Sequence, residues 1–374
     1  MDAGAAGAHR LQLLLAGDVM TGRGIDQALP HPGSPRLFEG WVRDARDYVA
    51  LAEQAHGTIA RPVAPAYPWG EALSAMDELP AALRIVNLET AITARGAPWP
   101  GKGIHYRMHP DNLDCLRSAR LSACSLANNH VLDWGSEGLA DTLVALDAAG
   151  IAHAGAGMDD AQAWQPCALP VPGGRRVLLS AWAAPGCGVP PQWAAGPGRP
   201  GVALLPDLSL RSAEAVAEVV AAMRAPGDRV VVSLHWGGNW GFALPPEHGD
   251  FAHALVDLGA ADVVHGHSSH HPLPVEVYRG RAILHGCGDL INDYEGIEPH
   301  GSLRSDAACL YALALAPDGS LQAMDIVPLR LRRLRLERAD ADTRHWLRRI
   351  FEEEGRAFGT GVAEAADGSF SLRW

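Results

Sequence analysis

RVVVSLHWGGNWG, residues 229–241, is an apolar run that ends on a histidine and stops at a glycine-rich turn. Three valines lead into Ser233, Leu234 and His235, and Gly237 and Gly238 follow Trp236. A continuous apolar run of this kind reads as a strand buried on both faces, and parallel sheets carry their chemistry at such strand ends. Five more stretches share the pattern to different degrees: GDVM at 17–20, NLET at 87–90, ANNHVLDWG at 127–135, HGHSSHHP at 265–272 and HGCGD at 285–289. Asp, Glu, Asn and His are hard or borderline donors, so the six together predict a divalent cation held by oxygen and imidazole.

Further apolar runs that predict buried strands are 11–17, 83–89, 121–127, 176–183, 229–236, 261–266 and 281–286. Helical spacing of apolar residues occupies 38–55, 136–150, 209–225 and 246–260 between them, and strand–helix alternation means an α/β protein. From 306 to 336 the texture changes to alternating runs around a Pro-Asp-Gly turn, which predicts a hairpin in a second, partly antiparallel sheet. The basic run 328–338 reads as a strand with one solvated face. An amphipathic helix over 338–357 and a short strand near 370–374 complete a single domain spanning 1–374, with its core at about 11–330. Pro-, Gly- and Trp-rich loops at 57–69 and 184–201 are expected to frame an active-site mouth.

The bulk numbers exclude several classes. A net charge of −12 over 374 residues gives no global field for nucleic acid or an anionic membrane. The six cysteines, at 115, 124, 167, 187, 287 and 309, form no CxxC pair, which suits reduced thiols. No run of 18 apolar residues occurs, so the expectation is a cytoplasmic chain without a membrane partner. Its oligomeric state is left open.

In order and content the motifs resemble the CapA-like branch of the calcineurin-like metallophosphoesterases, named for poly-γ-glutamate capsule synthesis. GDVM, NLE, NNH, SLHWG and GHSSHHP match that branch's five motifs over roughly residues 11 to 330. The resemblance implies a four-layer α/β/β/α sandwich of two mixed sheets. It also implies metal ligands at Asp18, Glu89, Asn129, His235 and His267. Such donors suit Mn, Zn or Fe, with Ca or Mg as further options. Phosphoesterases of the superfamily carry D-x-H in the first motif and G-H-x-H in the fifth. Met20 and Ser269 stand at those second histidine positions, so a single tightly bound ion is expected.

One ion with loose acids and bases around it can acidify the carbon beside a carbonyl, and inversion needs two opposed acid/base groups. The candidates are Asp18, His130, His270, Asp289, Asp293 and Glu295. His130 takes the family's acid position, and Asp133 is placed to orient it. Asn292 and Tyr294 are read as a wall of the substrate pocket, although Asn292 equally suits a helix cap. Arg107 is read as a clamp for a substrate carboxylate or as a surface ion-pair residue. Trp236 and Trp240 are read as a lid over the His235 loop or as packing. The leading expectation is a metal-dependent peptide epimerase that inverts a Cα centre, such as the C-terminal Trp of a lasso-peptide precursor. The alternatives are a metal-dependent phosphoesterase or amide hydrolase, or a poly-γ-glutamate biosynthesis protein that binds acidic peptide.

Overall fold

The computed structural model describes residues 10–297 and 301–374. The chain begins with parallel strands β1 (Leu11–Val19), β2 (Leu83–Leu88), β3 (Ala123–Ser125) and β4 (Ala152–Ala154). It then builds a second sheet from β5 (Cys167–Val171), β6 (Arg175–Ala183), β7 (Arg229–His235), β8 (Val263–His267), β9 (Val275–Tyr278) and β10 (Arg281–Leu284). That sheet runs β9-β10-β8-β7-β6-β5, parallel in its middle and antiparallel at both edges. The chain returns to the first sheet with β11 (Asp289–Ile291), β12 (Ala307–Leu315), β13 (Leu321–Leu331), β14 (Leu336–Arg338), β15 (Gly361–Glu364) and β16 (Phe370–Arg373). The first sheet runs β15-β16-β13-β12-β1-β2-β3-β4, with β11 paired to the end of β1 and β14 to β13. The protein is therefore α/β with two large mixed sheets.

Alternation along β1 sorts the core, because successive side chains of a strand face opposite ways. Leu13 and Leu15 join Ile85, Val177, Leu179, Val231 and Val263, drawn from both sheets, in one apolar cluster. Leu14 and Ala16 join Val86 and Leu88 with helix residues such as Val49, Leu139 and Leu146. On the second sheet, Leu178, Val230, Val232 and Val264 pack with Val216, Val220, Phe251 and Leu255, from helices Leu210–Ala221 and Pro246–Asp257. Burial of each such side chain stabilises the fold by ~1.5–3 kcal/mol before entropy is counted.

The strand ends meet in register. Asp18 pairs with Asn87 on one side and Asp289 on the other, and His235 pairs with His267. The bulge between Leu15 and Asp18 depends on a bare backbone. A Cβ at Gly17 would lie 1.7 Å from the Gly288 carbonyl oxygen, whose partner is the Asp18 N–H at 3.0 Å. Gly17→Ala should therefore cost at least ~1–3 kcal/mol, read as a lowered thermal midpoint together with weakened cation binding.

Several expectations change. The helix expected over 38–55 forms only at Arg46–His56, because residues 35–45 close on themselves through Leu37 N–H to Arg43 O (2.9 Å) and Ala45 N–H to Pro35 O (2.7 Å). The 306–336 hairpin exists, but it joins the first sheet through β12 against β1 instead of founding another. The basic run is β13, a turn and β14 rather than one strand. Arg333 and Leu334 both adopt φ of 55° there, and the Glu295 carboxylate accepts their two backbone N–H groups. Loop 57–69 ends in the first core, where Trp69 is fully buried, and loop 184–201 reaches the site described below. The C-terminal helix covers Ala341–Glu353, and Trp346, Leu347 and Ile350 enter the core shared by both sheets. Among the described residues no helix is long and apolar enough to cross a membrane. All six cysteines are free, five of them buried, and burial pushes the Cys187 thiol up to about 11.

Candidate metal centre

Asp18, Glu89, His235 and His267 are all within 1% of full burial at the convergent strand ends. Ligand atoms of Asp18, His235 and His267 lie within 4.8 Å of one another, as do those of Asp18, His270 and Asp289. The Asn87 amide bridges the two carboxylates, donating to Asp18 Oδ1 at 2.8 Å and Glu89 Oε2 at 3.3 Å. Asn128 in turn donates to the Asn87 oxygen at 3.0 Å. Burial, with Asp289 adding to it, pushes the Asp18 carboxyl up to about 7. Burial and the Asp18 charge hold Glu89 well above the ordinary carboxylate range. His235 and His267 are driven well below the usual imidazole value by burial.

A hydrogen-bond chain across the sheets assigns the His267 tautomer. Burial pushes His265 down to about 4, so it is neutral at pH 7. Its Nε2–H donates to the Ala16 carbonyl at 2.9 Å, which leaves Nδ1 as the acceptor for the Ser233 hydroxyl at 3.1 Å. Ser233 Oγ, its proton committed, accepts from His267 Nε2–H at 2.9 Å. His267 Nδ1 is thus a bare lone pair, 2.8 Å from His235 Nδ1 and 3.8 Å from Asp18 Oδ1. His235 Nε2 lies 3.1 Å from Asn129 Oδ1. Lone pairs and carboxylates gathered without a counter-charge are costly in a buried site unless a cation joins them. The donor set therefore fits a divalent ion between Asp18, His235 and His267, with Asn129 against His235 and Glu89 tied to Asp18 through Asn87. Ser233→Ala should free His267 to take the other tautomer and weaken Mn²⁺ or Zn²⁺ binding by ~10–100-fold, measured by calorimetric titration, with Ser233→Thr retaining affinity.

Two imidazole–carboxylate pairs border this cluster. His130 Nδ1 meets Asp133 Oδ2 at 2.6 Å, and its Nε2 lies 3.7 Å from Glu89 Oε1. Burial outweighs the Asp133 attraction and lowers His130 to about 4. On the other flank His270 Nδ1 meets Asp289 Oδ1 at 2.9 Å. Burial opposes a charge on His270, yet Asp289 outweighs it and holds the imidazole above its ordinary value. His270 Nε2 faces the Tyr294 hydroxyl at 3.5 Å.

Residues 12–294 match the family described as bacterial capsule synthesis protein PGA_cap. The chain belongs to this family. Within it, a probable polyglutamine synthesis accessory protein of Mycobacterium tuberculosis is 48% identical over 357 residues, covering 95% of this chain and 94% of that protein. The capsule biosynthesis protein CapA of Bacillus anthracis is 24% identical, over 86% of this chain and 68% of that one. The PGA biosynthesis protein CapA of Bacillus subtilis is 25% identical, over 76% of this chain and 63% of its own length.

Not every expected residue of this PGA_cap chain lies at the cluster. Glu295 clamps the 332–335 turn and contacts His56 Nδ1 at 2.7 Å, so it is structural. Asp293 is bound to Arg23. Asn292 caps no helix. It donates to Asp289 Oδ2 at 2.9 Å and to Ser305 O at 2.8 Å, and so orients a carboxylate instead of lining a pocket. Arg107 lies 3.7 Å over the Trp134 ring and clamps nothing in the pocket beside His270. Trp236 is buried packing, stacked on His248 with its Nε1–H on the His285 carbonyl at 2.8 Å. Trp240 and Tyr294 do line the pocket. Met20 is fully buried, and Ser269 Oγ donates to His271 O at 2.9 Å, turned to its own backbone.

Lys102 and Arg23 carry no motif that marks them, and the Ser233–His265 contact is set by the fold. Lys102 donates to Asp133 and to the Asn129 carbonyl, and sits 3.0 Å from His130 Nδ1. Its signals are two flanking glycines and its being the single lysine of the sequence. Loop 184–201 backs this corner, with Lys102 over the Trp193 ring at 5.1 Å. Arg23, with φ of 49°, is buried on Asp293 and Glu39. Ser233 and His265 were visible in their motifs, but their relay crosses 32 residues of sequence.

Proposed function

We propose that this protein is a metal-dependent enzyme acting on the backbone of a glutamate- or glutamine-type peptide, as an accessory step in making such a polymer. The names of its relatives support the substrate class. One observation carries the chemistry: the pairs His130–Asp133 and His270–Asp289 flank one buried donor cluster, each imidazole held at Nδ1 by its carboxylate. His130, lowered to about 4 by burial, can accept a proton at Nε2, and His270, raised above its ordinary value by Asp289, turns its Nε2 toward the Tyr294 hydroxyl on the other flank. A divalent ion bound by Asp18, His235 and His267, with Asn129 and Glu89 adjoining, would supply Lewis-acid polarisation of a peptide carbonyl. Asp133 and Asp289 keep the two imidazoles oriented, and Lys102 holds Asp133 in place.

An acid and a base at one carbonyl serve either hydrolysis or inversion of the adjacent Cα. The presence of two carboxylate-held imidazoles on separate flanks of the cluster favours the second reading, a peptide epimerase. The finer architecture proposed with this reading is a calcineurin-like α/β/β/α sandwich. The apolar cluster shared by both sheets, with a helix-facing cluster on each, supports that layering.

The test is incubation of a glutamine- or glutamate-containing peptide with the Mn²⁺-loaded protein in D₂O. One deuterium gained at a Cα position supports inversion, and new termini support hydrolysis. Neither change, with any divalent ion, rejects the enzyme. Elemental analysis is expected to give one equivalent of metal. Two equivalents would move His270 and Asp289 into the ligand role.

A further inference from the structure

We infer that Tyr294 is the catalytic residue on the His270 flank, its phenolic oxygen and not the imidazole exchanging a proton with the substrate. That role rests on the acid/base reading above. Asp289, His270 and Tyr294 stand in a row. Asp289 Oδ1 meets His270 Nδ1 at 2.9 Å, and His270 Nε2 faces the Tyr294 hydroxyl at 3.5 Å. Carboxylate, imidazole and hydroxyl follow one another as they do in a Ser-His-Asp triad. One side chain fixes both ends of the row. The Asn292 amide donates to Asp289 Oδ2 at 2.9 Å, and its oxygen accepts the Tyr294 backbone N–H at 3.0 Å. A separation of 3.5 Å is long for proton transfer, as catalytic hydrogen bonds commonly are before substrate tightens them.

Both ring nitrogens of His270 are covered, Nδ1 by Asp289 and Nε2 by the hydroxyl, and the residue is 7% exposed. Tyr294 lines the adjoining pocket of about 220 Å³ together with Trp41 and Trp240. A substrate proton bound for His270 Nε2 therefore meets the phenolic oxygen first. Burial and the Asp289 charge hold this phenol well above its ordinary value, so the resting group keeps its proton; the Arg23 charge and the Tyr106 hydroxyl act against them. The exchange balances in both directions. In removal, the Cα–H bond breaks and its electron pair stays with the carbon and its carbonyl. The proton goes to Tyr294 Oη as the phenol's own proton goes to His270 Nε2. In delivery, the phenol proton goes to the carbon and His270 Nε2 returns one to the oxygen. His130 serves the other face.

Deuterium exchange in D₂O tests this on the Mn²⁺-loaded full chain, with N-acetyl-tri-glutamine and N-acetyl-tri-glutamate, each made from L and from D residues. Tyr294→Phe keeps the ring that stands edge-on to His270 at 5.2 Å and removes only the oxygen. It should keep its metal and lose exchange of one enantiomer by ~10²–10⁴-fold, while the other enantiomer still exchanges. His270→Gln, which leaves the hydroxyl in place, should slow the same enantiomer. Without any substrate, the ¹⁵N resonance of His270 Nε2, assigned by its loss in His270→Gln, should move in Tyr294→Phe. Tyr294→Phe acting on either peptide at the wild-type rate, by exchange or by cleavage, overturns the inference and leaves the proposed function standing. Equal slowing of both enantiomers, or an unmoved Nε2 resonance, reduces Tyr294 to packing and overturns it too. Wild-type protein that neither exchanges nor cleaves these peptides with any divalent ion rejects both.

Discussion

His267→Ala is expected to abolish tight binding of Mn²⁺ or Zn²⁺ and, with it, all turnover. The ring contributes the lone pair that the Ala16–His265–Ser233 chain turns toward Asp18, and it stands with Asp18 and His235 in one group of converging ligand atoms. Loss of one of about four ligands lowers affinity by more than the ~10–100-fold that follows from disturbing an outer partner. Competition against a fluorescent chelator measures it, and affinity within tenfold of wild type would remove His267 from the ligand set. The wild-type protein carries its own pH signature. Asp18 titrates at about 7 in the ion-free fold, so an ion competes with a proton there. Affinity should fall as pH drops through about 7, with proton release on binding. The raised carboxyl value also means that the ion-free fold loses stability as pH rises from the ordinary 3.8 towards 7. Added metal should restore that stability above pH 7.

His130→Ala should leave metal content unchanged and lower kcat by ~10²–10⁴-fold, the usual loss for a positioned acid or base. Its Nδ1 is held by Asp133 and its Nε2 points toward Glu89, so the ring borders the ion's position without being required to hold it. Asp133→Asn should keep the ring in place but lose the charge that orients its proton, giving a smaller fall in kcat. In the inversion reading, His130→Ala and His270→Ala should differ in which enantiomer still exchanges deuterium, because each removes one face's proton carrier. Equal activity of wild type and His130→Ala in the D₂O assay would reduce that ring to packing.

The strands were legible because parallel strands buried on both faces write themselves as unbroken apolar runs, as at 229–235 and 11–19. The motif residues were legible because a polar residue at such a run's end has few structural uses. What escaped was set by partners far away in sequence. Glu295 and Asn292 looked like pocket residues from their neighbours, yet a turn at 332–335 and the Ser305 carbonyl claim them. Residues 38–45 have helical spacing, but backbone pairing within 35–45 takes precedence, and Glu39 goes to Arg23. Lys102 carries no periodic signal, since glycines flank it and its work is done by three polar contacts.

The cluster's donors come from two separate sheets: Asp18 lies near the end of β1, Glu89 and Asn129 follow β2 and β3 of the same sheet, and His235 and His267 end strands of the second. An ion seated among them is therefore a cross-link between the two halves of the molecule, reinforcing an interface otherwise held chiefly by Leu13, Leu15, Val231 and their neighbours. A bound ion would then be expected to stiffen that seam, which the shared apolar core already closes.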